Sequence, residues 1–238
     1  MLGTFLKGAS GGNIEYVGGR VLGFSGTEDN FNVSLTSLSG GLATAPAAGD
    51  LVIIYFGTGS ITNENLVVGD GYTEIIELYS DDTFDTSLVV ARKFMGVIPD
   101  TSIEIIGGTE DGADAGAIAI QVWRGVNTTT PLDVFRTTAI GTNSVLCDPP
   151  AITPITSGAV IVSGGAGGHN IANSDITYSS SDLTGFISVT GVDTFCCTIG
   201  LGYHVWTSGS FNPAAFTFSG TDDIQFSSAA VTLALRPE

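Results

Sequence analysis

Carboxylates are the most numerous reactive groups in this chain: 24 Asp and Glu stand against 7 Lys and Arg and two histidines, His169 and His204. The acids gather in short groups at Asp81, Asp82 and Asp85, at Glu110, Asp111 and Asp114, and at Asp222 and Asp223. Two carboxylates facing across a cleft can hydrolyse a glycosidic bond, and several in one loop, helped by backbone carbonyls, can hold calcium. Asp81, Asp82, Asp85, Asp111, Asp222 and Asp223 are therefore the candidate calcium ligands, and calcium is the one cofactor this composition could hold. The competing role is plainer, because Asp beside Thr and Gly caps tight turns. Few aromatic or basic residues flank these acids, which speaks against a sugar-cleaving pair and favours a non-enzymatic protein.

Nucleophilic chemistry needs a base beside the nucleophile. Gly8-Ala9-Ser10-Gly11-Gly12 matches the letters of the G-x-S-x-G elbow, but the strand before it and the helix after it are missing from the pattern. His169 follows Gly164-Gly165-Ala166-Gly167-Gly168 without the Lys-Ser/Thr of a phosphate loop, so that run predicts a flexible strand connection. His204, between Tyr203 and Trp206, predicts an ordinary packing position on a strand. Cys147, Cys196 and Cys197 are odd in number, with two adjacent, which implies neither a disulfide framework nor a zinc site. Reduced, buried thiols fit synthesis in a cytoplasm. Trp123 and Arg124 close one strand and Trp206 closes another; Trp and Arg are enriched at interface hot spots, so these three are the candidate contact residues.

The elements carrying these residues read as strands of about six residues separated by Gly, Asp, Asn, Ser and Thr, with no helical period. The predicted strands are Asn32 to Leu38, Asp50 to Tyr55, Thr73 to Ser80, Leu88 to Met95, Ser102 to Ile106 and Ala117 to Arg124. In the second half they are Ala159 to Ser163, Gly185 to Thr190, Cys196 to Trp206, Ala214 to Ser219 and Ser228 to Leu235. Alternation marks Ile103, Ile105, Phe216 and Phe218 as inward-facing. Prolines fall between strands, and Pro149 to Pro154 links two halves. The glycine-rich segment 1–23 predicts an N-terminal arm, with a β-sandwich over 24–238.

The halves, about 46–125 and 155–237, echo each other at an offset of roughly 110 residues. Gly108-Thr109-Glu110-Asp111 returns as Gly220-Thr221-Asp222-Asp223, and Arg124 returns as Arg236. Gly49-Asp50-Leu51-Val52-Ile53 pairs with Gly158-Ala159-Val160-Ile161-Val162, and Ser80 to Thr86 with Ser188 to Thr194. The expected fold is all-β, a jelly-roll-like sandwich built from two diverged copies of one β unit.

Only 13% of residues are charged and the mean hydropathy is +0.35, so a lone globule would expose much neutral or apolar surface; self-association or another protein is expected to cover part of it. The net charge of −17 repels phosphate backbones and anionic lipid, which speaks against nucleic-acid and membrane partners. No run reaches the length of a membrane span, and residues 1–7 lack a secretory pattern.

Gly49 to Ile53, Gly71-Tyr72-Thr73, Lys93-Phe94-Met95, Val122-Trp123-Arg124-Gly125-Val126 and Thr130-Pro131-Leu132-Asp133-Val134 together resemble the jelly-roll virion structural proteins of tailed bacteriophages. That resemblance implies a non-enzymatic particle component, made in the host cytoplasm and oligomeric, as a trimer, with capsid or tail proteins as partners. Within it, a capsid decoration or cement protein is the first expectation, and a tail-fibre or spike module holding a host-surface glycan the second.

Overall fold

The computed structural model describes residues 12–25, 30–60, 67–82, 84–106, 115–141, 146–169, 176–192, 196–219 and 227–238. Among these the chain is all-β, and every strand pairing is antiparallel. The first half supplies β1 (Glu15–Phe24), β2 (Asn30–Ser34), β3 (Leu51–Ser60), β4 (Val67–Val68), β5 (Thr73–Ser80), β6 (Asp85–Phe94), β7 (Ser102–Ile106) and β8 (Gly116–Arg124). The second supplies β9 (Thr137–Gly141), β10 (Val160–His169), β11 (Thr177–Ser179), β12 (Thr184–Thr190), β13 (Cys196–Val205), β14 (Thr217–Ser219) and β15 (Ser228–Leu235).

Two five-stranded sheets, ordered β1-β8-β3-β6-β5 and β12-β13-β10-β15-β9, pack face to face. Smaller sheets, β2-β7-β4 and β11-β14, cover their outer faces. Each large sheet is thus buried on both sides, which explains why β3 opens on the unbroken apolar run Leu51 to Phe56. Alternation survives inside that run. Leu51, Ile53 and Tyr55 point to the inter-sheet core with Leu88, Val90, Val162, Ile199 and Val231. Val52, Ile54 and Phe56 point outward to Val33, Ile103 and Ile105 of the covering sheet.

The inter-sheet core is filled unequally along its length. Near Leu51 and Val160, Tyr16, Trp123 and Tyr203 form a cluster with ring centroids 4.9 to 5.1 Å apart. Towards the other end the sheets meet through glycine. A Cβ on Gly57 would press on Ala166, one on Gly59 would enter the Cys196 carbonyl, and one on Gly168 would enter the Asp85 carbonyl. Hydrogen bonds stitch this close end: the Gly168 N–H donates to Thr86 Oγ1 at 2.6 Å, Thr86 Oγ1 donates to the Ser227 carbonyl at 3.0 Å, and Ser227 Oγ donates to the Phe84 carbonyl at 2.6 Å. Midway, Tyr55 Oη crosses to the Val231 carbonyl at 3.0 Å.

Several expectations change. Residues 15–23, expected to belong to an arm, form most of β1, an edge strand paired with β8 along its length. Its glycines fit there because close neighbours fill the space of a side chain: the Thr190 carbonyl lies against Gly23, and Ile187 against Gly19. Gly164 to Gly168, expected as a flexible connection, is the buried second half of β10, the middle strand of its sheet. Of Asn32 to Leu38 only the part to Ser34 lies in a strand, and of Ala214 to Ser219 only Thr217–Ser219. The short strands β4, β9 and β11 carry too little pattern to be predicted. Ile103, Ile105 and Phe216 are fully buried as expected, while Phe218 is half-buried.

Candidate functional site

A surface pocket of about 220 Å³ opens beside the edge of the first sheet. Its floor and sides come from Thr73 of β5, Arg92 and Phe94 of β6, and the loop carrying Thr128, Thr129 and Pro131. Register fixes the first two together, since Thr73 is the cross-strand partner of Arg92. Arg92 shares the inter-sheet face with Leu88 and Val90, four and two residues earlier, but sits where that face reaches the surface. Burial disfavours its charged form and lowers its pKa, and its Nη1 is buried without a hydrogen-bond partner. Lys93, also at the pocket, is already neutralised: Nζ lies 2.6 Å from Asp100 Oδ2 and 5.4 Å from the Tyr72 ring centroid.

The loop wall is held from two sides. Asn127 Oδ1 accepts from the Thr129 and Thr130 backbone N–H groups at 3.1 and 2.8 Å, an Asx turn. Arg236 donates through Nη1 to Thr130 Oγ1 at 3.2 Å, through Nη2 to the Asp133 carbonyl at 3.1 Å, and through Nε to Asp133 Oδ1 at 3.1 Å. Asp133 Oδ2 accepts from the Ile155 and Thr156 N–H groups at 2.6 and 3.0 Å. Burial alone would raise the Asp133 pKa, but the hydrogen bonds from Thr156, Ile155 and Arg236 outweigh it and hold the carboxyl below its ordinary value. Sequence reading missed this site, because its members lie on two strands and a distant loop; the one visible trace was the pairing of Arg124 and Arg236 across the halves.

The predicted contact residues do not form a patch. Trp123 is 1% exposed and lies between the sheets, so it cannot touch a partner directly. Strand alternation turns the neighbouring Arg124 the other way, where Nε and Nη2 grip the two Asp50 oxygens, each at 2.9 Å. Trp206 is half-buried on the second sheet, with Nε1 donating to the Gly209 carbonyl at 2.8 Å.

Of the candidate calcium ligands, Asp111, Asp222 and Asp223 lie outside the described residues, as do Glu110, Asp114 and Ser10 of the elbow-like motif. Asp81 is exposed and Asp82 half-buried, but Asp85 is buried and caps its own turn: Oδ1 accepts from the Asp82 N–H at 2.8 Å, and Oδ2 from the Tyr79 hydroxyl. Among the described residues no group of three or more His, Cys, Asp and Glu is placed to hold a metal.

The imidazole of His169 and the thiol of Cys196 meet as a cross-strand pair, Sγ to Nδ1 3.4 Å, with Nε2 3.0 Å from Thr198 Oγ1. Both side chains are buried, so this thiol–imidazole contact is closed to solvent. All three cysteines are free and buried, as expected, and burial pushes the Cys147 and Cys197 thiols well up. His204 packs as predicted, its ring stacked on Phe211 at 4.0 Å and 11°.

No family model, no curated protein and no solved structure matches this chain. The fold and the site together define an all-β sandwich protein with a small cationic pocket at one sheet edge.

Proposed function

We propose that this chain is a non-enzymatic structural protein of a tailed-bacteriophage virion, a capsid decoration or cement protein on the outer particle surface that assembles with copies of itself, as a trimer, and with capsid proteins. The observation that carries this reading is the apolar dress of its connections. Val97 and Ile98 are 93% and 87% exposed, Phe135 78% and Ile155 70%, on a chain with few charges to keep such a surface in water. These residues follow β6 or precede β9 and β10, at the end of the sheets where the aromatic cluster lies. Neighbouring subunits covering them would remove that exposure.

Two diverged copies of a jelly-roll-like unit fit the same reading. β1, β8, β3, β6 and β5 correspond in order to β9, β15, β10, β13 and β12, and β7-β4 to β14-β11. The correspondence reaches single hydrogen bonds. Asp50 N–H to Ala47 O recurs as Ala159 N–H to Thr156 O, and Met95 N–H to Asp50 O recurs as Trp206 N–H to Ala159 O. Gly49 and Gly158 enter β3 and β10 with φ of 85° and 84°, a conformation that favours glycine. Within the first half, successive strands alternate between β1-β8-β3-β6-β5 and β2-β7-β4, apart from β5 and β6, which pair within one sheet.

Quantitative mass spectrometry of purified virions tests the function. The expected result is hundreds of copies per particle; absence from virions, or copy numbers in the low tens or below, overturns the decoration reading. The pocket favours a second reading, a tail-fibre or spike module that holds a host-surface glycan. Adsorption of labelled protein to host cells is its expected sign, and protein that ignores those cells rejects it.

A further inference from the structure

The geometry points to the Arg92 pocket as a binding site for one singly charged oxyanion, a carboxylate or sulfate ester, carried on a sugar-sized polar group. The oxyanion part stands on the site itself; the sugar part deepens the glycan-holding reading and rests on it.

Charge selects the ligand first. Of the seven cations, Lys93, Arg124 and Arg236 are committed to Asp100, Asp50 and Asp133. Arg92 has no such partner among the described residues, and one of its nitrogens is buried without an acceptor. A buried donor with no partner costs stability, and a guanidinium fork matches two oxygens of a carboxylate or sulfate with paired hydrogen bonds. With Lys93 already balanced by Asp100, the pocket's uncompensated charge is that of Arg92 alone, which suits a monoanion. A net charge of −17 disfavours a dianionic phosphate monoester further.

Size and lining select what carries the charge. At about 220 Å³ the pocket is smaller than sites for drug-sized ligands, which begin at about 300 Å³, so it suits one compact residue. Thr73, Thr128 and Thr129 supply hydroxyls that can donate or accept, and Phe94 and Pro131 supply apolar surface for C–H faces. Arg236 and Asn127 act as positioning residues by fixing the loop that forms the far wall.

The test titrates the full chain with glucuronate, a singly sulfated monosaccharide and glucose, followed by calorimetry and by the ligand-induced rise in Tm. The expected result is saturable binding of glucuronate, of the sulfated sugar, or of both, at least tenfold tighter than glucose; which one binds identifies the anion's source. Arg92→Gln is expected to abolish the preference while keeping or raising the Tm of the unliganded protein, because it removes a charge that no other described residue satisfies. Arg92→Lys, which keeps the charge but loses the fork, is expected to weaken binding about tenfold and to serve if the glutamine variant fails to fold. Equal binding of glucose and the two anions, no binding of either anion, or undiminished anion binding by the Arg92 variants overturns the site. Those failures leave virion copy number and cell adsorption untouched. Anion binding without adsorption would instead retain the pocket and reject the receptor role.

Discussion

The central strands of the two large sheets, β3 and β10, hold equivalent places by opposite means. β3 runs LVIIYFGTGS and fills both its faces with bulky side chains for six residues. β10 runs VIVSGGAGGH and, over its second half, lets its neighbours come to it. Cys147 and Tyr178 occupy the side-chain space outside Gly165 and Gly167, while Tyr55 and Asp85 occupy it inside Gly164 and Gly168. The pair of strands shows that burial can be achieved from either partner. Where β3 itself turns to glycine, with Gly57 against Ala166 of β10 and Gly59 against Cys196 of β13, the sheets approach closely enough for main-chain and hydroxyl groups to bond across the gap.

Adding atoms to β10 and removing them from β3 should break this arrangement in unequal degree. Gly168→Val places a branched side chain into the Asp85 carbonyl and Thr86 Oγ1, backbone and buried polar atoms that cannot rotate aside. The expected outcome is loss of the folded protein, read as the absence of a cooperative unfolding transition. Ile54→Ala, in the fully buried outer core against Val33 and Ile103, leaves a cavity instead of a clash. It should cost about 2–5 kcal/mol, measured by urea denaturation, because neighbours relax only partly around missing methyl groups. A Gly168→Val variant as stable as Ile54→Ala would show that the sheets are free to separate, contrary to the comparison.

The same contrast explains what could be read beforehand. Leu51 to Phe56 announces a strand by composition, and Thr73–Ser80, Ser102–Ile106 and Ser228–Leu235 were legible to the residue. Gly164 to Gly168 was not, because its strand character resides in residues distant in sequence, Tyr55, Asp85, Cys147 and Tyr178. β1 failed for the same reason, with Gly18, Gly19 and Gly23 masking a strand that pairs with β8 from Glu15 to Phe24 around a bulge at Val17. The candidate site was less legible still. Arg92 looks like any strand-end cation until Thr73 and the 128–131 loop are placed around it, and Trp123 looks like a contact residue until the second sheet covers it.

Hydrogen bonding across the close end offers a finer probe. Thr86→Val keeps the shape of the side chain and removes the hydroxyl that accepts from Gly168 N–H and bonds Ser227. Gly168 N–H keeps the Ser227 carbonyl at 3.1 Å and Ser227 Oγ keeps the Phe84 carbonyl, so the cost is that of the bonds to Thr86 alone, about 1–3 kcal/mol. Tyr55→Phe removes one crossing bond, to the Val231 carbonyl, near the middle of the same interface, and should cost about 1 kcal/mol. Urea denaturation of the two variants ranks them; a costlier Tyr55→Phe would move the point of tightest inter-sheet contact to the centre of the core.

The smallest effect concerns the two Arg–Asp pairs that close β8 and β15, and it appears as a slope with pH. Asp133 is held below its ordinary pKa of 3.8, so the folded state favours its carboxylate. Its contribution to stability is therefore complete above the unfolded value near 3.8 and disappears as pH falls through the lower folded value. Denaturation from pH 6 downward should show stability falling faster in the wild type than in Asp133→Asn, whose side chain cannot take up that proton. Equal slopes would mean that the N–H groups of Ile155 and Thr156 and the guanidinium of Arg236 do no more for the carboxylate than water does. In that case the loop walling the Arg92 pocket would be held by Asn127, by the Arg236 bonds to Thr130 Oγ1 and the Asp133 carbonyl, and by its main-chain bonds to Ala234 and Arg236.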